Sequence, residues 1–206
     1  MRKVTLAVIA VLLICLSTSI VCMCADNESL LPFKSAVISY ALSGTRTGTE
    51  VVYIDVSANK IAIEASVTAT IGGMVDKDNT LKIYDGKTAY SVNLDKQTAV
   101  KAVKEGEIIP EMFGEKKFLN YYKGEEPFLG KICKVYQSPN GTVYFWQGIL
   151  LKEDVTMGKN ISLKKEAVTI LLDVPISQDK FNLPAGVKIT DAEQLMKDFN
   201  EKFKRK

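Results

Sequence analysis

Apolar and polar residues alternate with a period of two from Ser35 to Val103, with few breaks. "SAVISYALSG" and "GTEVVYIDVS" flank a Gly/Thr turn. "KIAIEASVTAT" alternates most cleanly, with Ile61, Ile63, Ala65, Val67 and Ala69 facing one way and Glu64, Ser66, Thr68 and Thr70 the other. One apolar face at period two predicts a half-buried antiparallel strand. "DKDNT", residues 76–80, reads as a hairpin tip. In "NTLKIYDGKTAYSVNLD", Asp85-Gly86 between β-rich runs predicts a hairpin whose second arm sets Thr88, Tyr90, Val92 and Leu94 on one face.

The pattern changes over residues 106–126. Ile109, Met112, Phe113, Phe118, Leu119 and Tyr122 fall at helical spacing, while Pro110 and Gly114 cut the stretch into two short pieces. Alternation then resumes. "KICKVYQSPNGTVYFWQGILL" predicts a hairpin about Asn140-Gly141. A two-residue turn there pairs Pro139 with Thr142, placing Trp146 opposite Val135 and Cys133 opposite Gly148. "EAVTILLDVPIS" is a last long strand and "DKFNLPAG" an extended segment. Thr190 and Glu193 form a capping box for a terminal helix with the apolar stripe Ala192, Leu195, Met196, Phe199 and Phe203. The expected fold is mainly β with helices (α+β): a curved antiparallel sheet of roughly seven to nine strands. It forms an unclosed half-barrel with a helical insert and a C-terminal helix.

The N-terminus changes the setting. Arg2 and Lys3 precede "VTLAVIAVLLICL", and small residues lead to Ala25, the grammar of a secretory signal. Cleavage near Ala25 leaves residues 26–206 as one domain. Two alternatives stay open: a lipid anchor at Cys22 or Cys24, and an uncleaved membrane anchor. All three put the domain in the periplasm, cell envelope or extracellular space. Without Arg2 and Lys3, the 27 basic residues fall to 25 against 24 acidic ones, so no field draws nucleic acid. Membrane contact is expected only through the N-terminal segment, if it is retained. Cleavage after Ala25 leaves Cys133 alone and no disulfide framework, whereas a cut before Cys22 or Cys24 would leave it a possible partner.

Candidate chemistry is sparse. Histidine is absent, so Cys133 lacks the usual base for a nucleophile and reads as a buried structural residue. Ser162 and Lys165 have Ser-x-x-Lys spacing, but the motif leads into a strand rather than opening a helix. No metal or other cofactor is expected, and no enzymatic activity. Asn27, Asn140 and Asn160 begin glycosylation sequons, which matter only in a host that uses them.

Four stretches carry a family resemblance: "GTEVVYIDVSANKIAIE", "KIYDGKTAYSVNLDKQTA", "FLGKICKVYQSPNGTVYFWQGILL" and "FNLPAGVKI". Together they resemble the Lol-type fold of periplasmic lipoprotein carriers and outer-membrane lipoprotein-sorting relatives, over most of residues 35–190. The resemblance implies an unclosed barrel enclosing an apolar space for acyl chains. Carriers use an arginine on an early strand to hold the lid; Arg46 and Arg205 are the mature-region arginines here, and neither matches that position.

The expected function is therefore binding of a hydrophobic or lipid-like ligand in the concave face. Ile61, Ile63, Val67, Leu81, Ile83, Tyr90 and Val92 are candidate lining residues. Met112, Phe113 and Phe118 on the insert, with Trp146, complete the candidate site, and residues 106–124 are either a lid between glycines or a helical plug packed permanently into the sheet. The alternative is a non-catalytic envelope scaffold with a filled core, whose partner is an envelope protein.

Overall fold

Each break in the alternation is a turn, and nearly every turn starts another antiparallel strand. The computed structural model describes residues 31–103, 115–158 and 161–204. Six strands form the first meander: β1 (Ser35–Gly44), β2 (Arg46–Asp55), β3 (Lys60–Ile71), β4 (Met74–Tyr84), β5 (Thr88–Asn93) and β6 (Thr98–Val103). A 3-10 helix, η1 (Glu115–Tyr121), leads into the second meander. This comprises β7 (Tyr122–Phe128), β8 (Lys131–Ser138), β9 (Gly141–Trp146), β10 (Ile149–Met157) and β11 (Ile161–Leu172). β11 lies antiparallel to β1 and joins the two meanders into one sheet. The chain then passes through a second 3-10 helix, η2 (Gln178–Phe181), to β12 (Lys188–Asp191), which pairs parallel to β6, and to the terminal helix α1 (Ala192–Lys204).

The sheet order is β12-β6-β5-β4-β3-β2-β1-β11-β10-β9-β8-β7, twelve strands in one open, half-barrel-like sheet. Fold class and terminal helix follow the sequence reading; the strand count exceeds it. Short strands such as β6, β7 and β12 lie where charges, glycine or proline interrupt the alternation.

Three local readings are corrected. Residues 76–80 are not a hairpin tip but the middle of β4, because Gly72 and Gly73, both at positive φ, make the turn and Ile71 pairs with Met74. In the β8–β9 hairpin the register is Ser138↔Gly141, Tyr136↔Val143 and Val135↔Tyr144, two positions away from the expected pairing. Pro139 and Asn140 are the turn, and Gly141 at φ +150° is already in β9. A Cβ on Gly141 would collide with the backbone carbonyl of Asp154 on β10, so the glycine is required by close strand approach. At α1, Asp191 replaces Thr190 as the cap: its Oδ1 accepts the Glu193 amide at 2.9 Å, while Thr190 belongs to β12.

Apolar side chains fill both faces of the sheet. The largest cluster runs through both meanders, from Ile38, Ile54, Ile61 and Tyr84 to Cys133, Ile149 and Leu151, with Leu31 and Phe33 packed in. On the opposite face of β2–β6, Ala62, Leu81, Ile83, Val92 and Ala99 lie under Phe181 of η2, beside Ile176, Leu183 and Val187. The segment carrying the chain from β11 to β12 therefore covers this second apolar face. A third cluster packs Tyr136, Val143 and Phe145 beneath Phe118 of η1.

Candidate functional site

The predicted lining residues divide between the two faces. Cross-strand pairs point to the same side of a sheet. Ile61 pairs with Ile54 and Tyr84, and Val67 faces Gly48, so Ile61, Ile63 and Val67 share one face of β3. Ala62 pairs with Ile83, Ile83 with Tyr90 and Val92 with Ala99, while Leu81 pairs with Glu64. Leu81, Ile83, Tyr90 and Val92 therefore occupy the other face, under η2. The expectation of one common lining is corrected, because alternation fixes sides within a strand but not which sides of successive strands match. Ile61, Val67, Leu81, Ile83 and Val92 are each 7% exposed or less, packed against the chain's own side chains.

Phe118 and Trp146 also separate. Phe118 lies 6.0 Å from Phe145 and 6.5 Å from Tyr136, ring to ring. Trp146, next to Phe145 and so on the alternate side of β9, joins the large cluster, with the Lys131 ammonium 4.4 Å from its ring. Glu115 anchors η1 by accepting from Tyr136 Oη at 2.6 Å and Lys134 Nζ at 3.2 Å. Met112, Phe113 and Ile109 lie outside the described residues.

Register instead brings together groups that sequence reading left apart. Leu42 pairs with Lys165, Lys165 with Glu153, Glu153 with Val143 and Val143 with Tyr136. On the other side, Tyr40 pairs with Glu50 and Glu50 with Ala65. One face thus carries a charged group, Lys165 and Glu153 in one row and Glu50 in the next. It is flanked by Ala65 and Val67 toward β3 and by the Phe118 cluster toward β8. A cleft of 180 Å³ opens there, lined by Leu42, Ser43, Arg46, Glu50, Glu153, Leu163, Lys164 and Lys165. A larger depression of 520 Å³, by Lys60 and the Asp85–Thr88 hairpin, is a wide surface hollow. Its carboxylate, Asp85, already accepts the Lys87 and Thr88 amides.

The cleft's electrostatics follow from its depth in the sheet. Lys165 forms a tight ion pair with Glu50, both side chains about a fifth exposed. Its ammonium sits 4.2 Å from the centre of the Tyr40 ring, where the π-face adds attraction. Tyr40 is 3% exposed, and its hydroxyl donates to the Leu150 carbonyl at 2.8 Å. Burial, then the negative charge of Glu50, pushes the phenol far above its ordinary range, so it stays protonated. Lys164 is held by Asp154 at 2.9 Å. Glu153 is different: burial raises its carboxyl, the Lys165 charge partly offsets that, and Glu50 adds repulsion. Among the described residues no ion pair closes on Arg46 or Glu153. This arrangement can hold a polar group by charge, and no cluster of three metal-ligating side chains exists among the described residues.

Sequence reasoning missed Glu50 and Glu153. Their shared partner, Lys165, is 115 residues from Glu50. The available signal was weak: Glu50 and Glu153 interrupt otherwise apolar-facing positions.

No family model matches the chain, and no curated protein matches it. Among solved structures, an uncharacterised conserved protein from Thermus thermophilus superposes with a TM-score of 0.53 at 9% identity, covering 78% of this chain and 91% of that one. The two share a fold. At that identity the likeness carries architecture alone. Two crystal forms of PNGF-II align at TM-scores of 0.41, with 16% and 14% identity, over 80% of this chain and about a third of that protein. That similarity is too slight to bear on fold or function.

Proposed function

We propose that this chain is an exported binding protein that holds a hydrophobic or lipid-like ligand on the η1-covered face of its half-barrel. The observation that carries the reading is the cleft around Glu153. Lys165 and Glu153 lie in one cross-strand row with Leu42 and with Val143 of the Phe118 cluster, an arrangement that suits an amphiphile with a polar end and an apolar body. Each ligand methylene withdrawn from water contributes about 0.8 kcal/mol, and no covalent step is required. The N-terminal signal pattern supports export, and the Lol-type resemblance supports a lipid-like cargo.

The buried positions favour a second reading. Ile61, Val67, Leu81, Ile83 and Val92 are occupied by the chain's own packing, as in a non-catalytic envelope scaffold with a filled core. Native mass spectrometry of protein purified gently from its own host, followed by lipid extraction, separates the two. A bound amphiphile near one per chain is expected. A clean apo mass, with no later uptake of a fluorescent fatty acid, overturns the binding reading and leaves the scaffold.

A further inference from the structure

The charges around the cleft can be counted off by partner. Five charged residues line it: Arg46, Glu50, Glu153, Lys164 and Lys165. Lys165 and Glu50 neutralise each other, and Lys164 is engaged by Asp154. The two that remain are of opposite sign. Arg46, at the start of β2, is an exposed guanidinium, a planar fork suited to phosphate or carboxylate. Glu153, half-buried on β10, is an acceptor for which no hydrogen bond is found among the described residues. A purely anionic guest would set a like charge against Glu153, and a purely cationic one would meet Arg46. The volume sets a second limit. A cleft of 180 Å³ has room for several waters, and so for a small head group.

We infer that the cleft selects a zwitterionic head group, its anionic end on Arg46 and its primary ammonium on Glu153. The inference rests on the binding reading above and specifies its ligand class. An ammonium with N–H donors satisfies the lone pairs of Glu153, whereas a quaternary ammonium offers charge without donors. A phosphoethanolamine head therefore ranks above phosphocholine, and both rank above phosphoglycerol. The Glu50–Lys165 pair serves as a positioning element: the Lys165 ammonium is engaged by Glu50, and no ion pair closes on Glu153 among the described residues. The order also depends on pH. Burial and the Glu50 charge raise Glu153, Lys165 opposes them, and Arg46 and Lys164 face the same space. Acidification should therefore weaken the ethanolamine preference by protonating Glu153.

The test is native mass spectrometry of the full mature chain with diacyl lipids of identical acyl chains and three head groups: ethanolamine, choline and glycerol. Free fatty acid and soluble phosphoethanolamine complete the set. Phosphatidylethanolamine is expected to be preferred over phosphatidylglycerol by about tenfold, the scale of one charged hydrogen bond. Glu153→Gln should bring that ratio to near one. Arg46→Met, at an exposed position, should weaken all phosphate-bearing lipids together. Equal uptake of all lipids overturns the head-group assignment and leaves the binding reading standing. Uptake of none overturns both. Binding of soluble phosphoethanolamine as tightly as the lipid keeps the zwitterion site but removes the acyl chain from the recognition.

Discussion

Tyr40 lies beneath the cleft, and its hydroxyl is the partner of a carbonyl at the β10 register shift, where Leu150 and Lys152 face consecutive positions of β9. Tyr40→Phe keeps the ring under Lys165 but leaves the Leu150 carbonyl without that donor. A loss of about 1–3 kcal/mol is expected, read by urea denaturation. Glu153 makes a pH prediction of determinate sign. Its folded-state value lies above the ordinary 4.5, so the native state binds the extra proton. The stability it contributes is present below the unfolded value and is lost as pH rises through the folded one. As pH rises from the unfolded value through the raised folded one, wild type should lose more stability than Glu153→Gln under the same titration. Parallel curves would contradict the burial of that carboxylate. Asp95 and Asp179, both lowered, act with the opposite sign at more acid pH and are common to both proteins. Cys133 is fully buried with its thiol raised by burial, so it should resist a thiol reagent until the chain unfolds. That burial agrees with the sequence reading of Cys133 as a buried structural residue. The Glu50–Lys165–Glu153 group was not legible, because three charged residues on three strands become neighbours only through register.

At the level of elements, the sequence was most informative where chemistry is local. The Asp85-Gly86 hairpin and the strand over residues 61–70 appear as read, and the terminal helix appears with its cap moved to Asp191. It misled where geometry is collective. Asn-Gly at 140–141 suggested a two-residue turn, yet Gly141 is needed one step later, where β10 approaches too closely for any Cβ. Gly141→Ala should cost about 1–3 kcal/mol or more, since both the positive φ and the contact oppose it. An unchanged denaturation midpoint would refute that account. Phe181 tests the second face of the sheet. It is 5% exposed over Ala62, Leu81, Ile83 and Val92, and Phe181→Ala should destabilise by about 3–5 kcal/mol. The parity of β4 against β3 decided that Leu81 and Ile83 belong beneath this residue instead of beside Ile61. No count of apolar positions along a single strand contains that parity.

For the molecule as a whole, the large cluster crosses from the first meander to the second, tying Ile38 and Ile54 to Ile149 and Leu151. Unfolding should consequently be a single event. Fluorescence from Trp146, the chain's one tryptophan and a second-meander residue, should change at the same denaturant concentration as far-UV circular dichroism. Two separated midpoints would mean that the meanders are independent. The seam between β1 and β11 also has a temporal meaning. Synthesis delivers β1 first among the strands and β11 only after nine others, so the inner edge of the first meander waits unpaired while its partner is made. Such late, distant closure slows folding, and an open edge in the interval invites pairing with another chain. A holding chaperone that shields residues 35–44 until residue 172 has emerged would protect the nascent chain at its most adhesive moment.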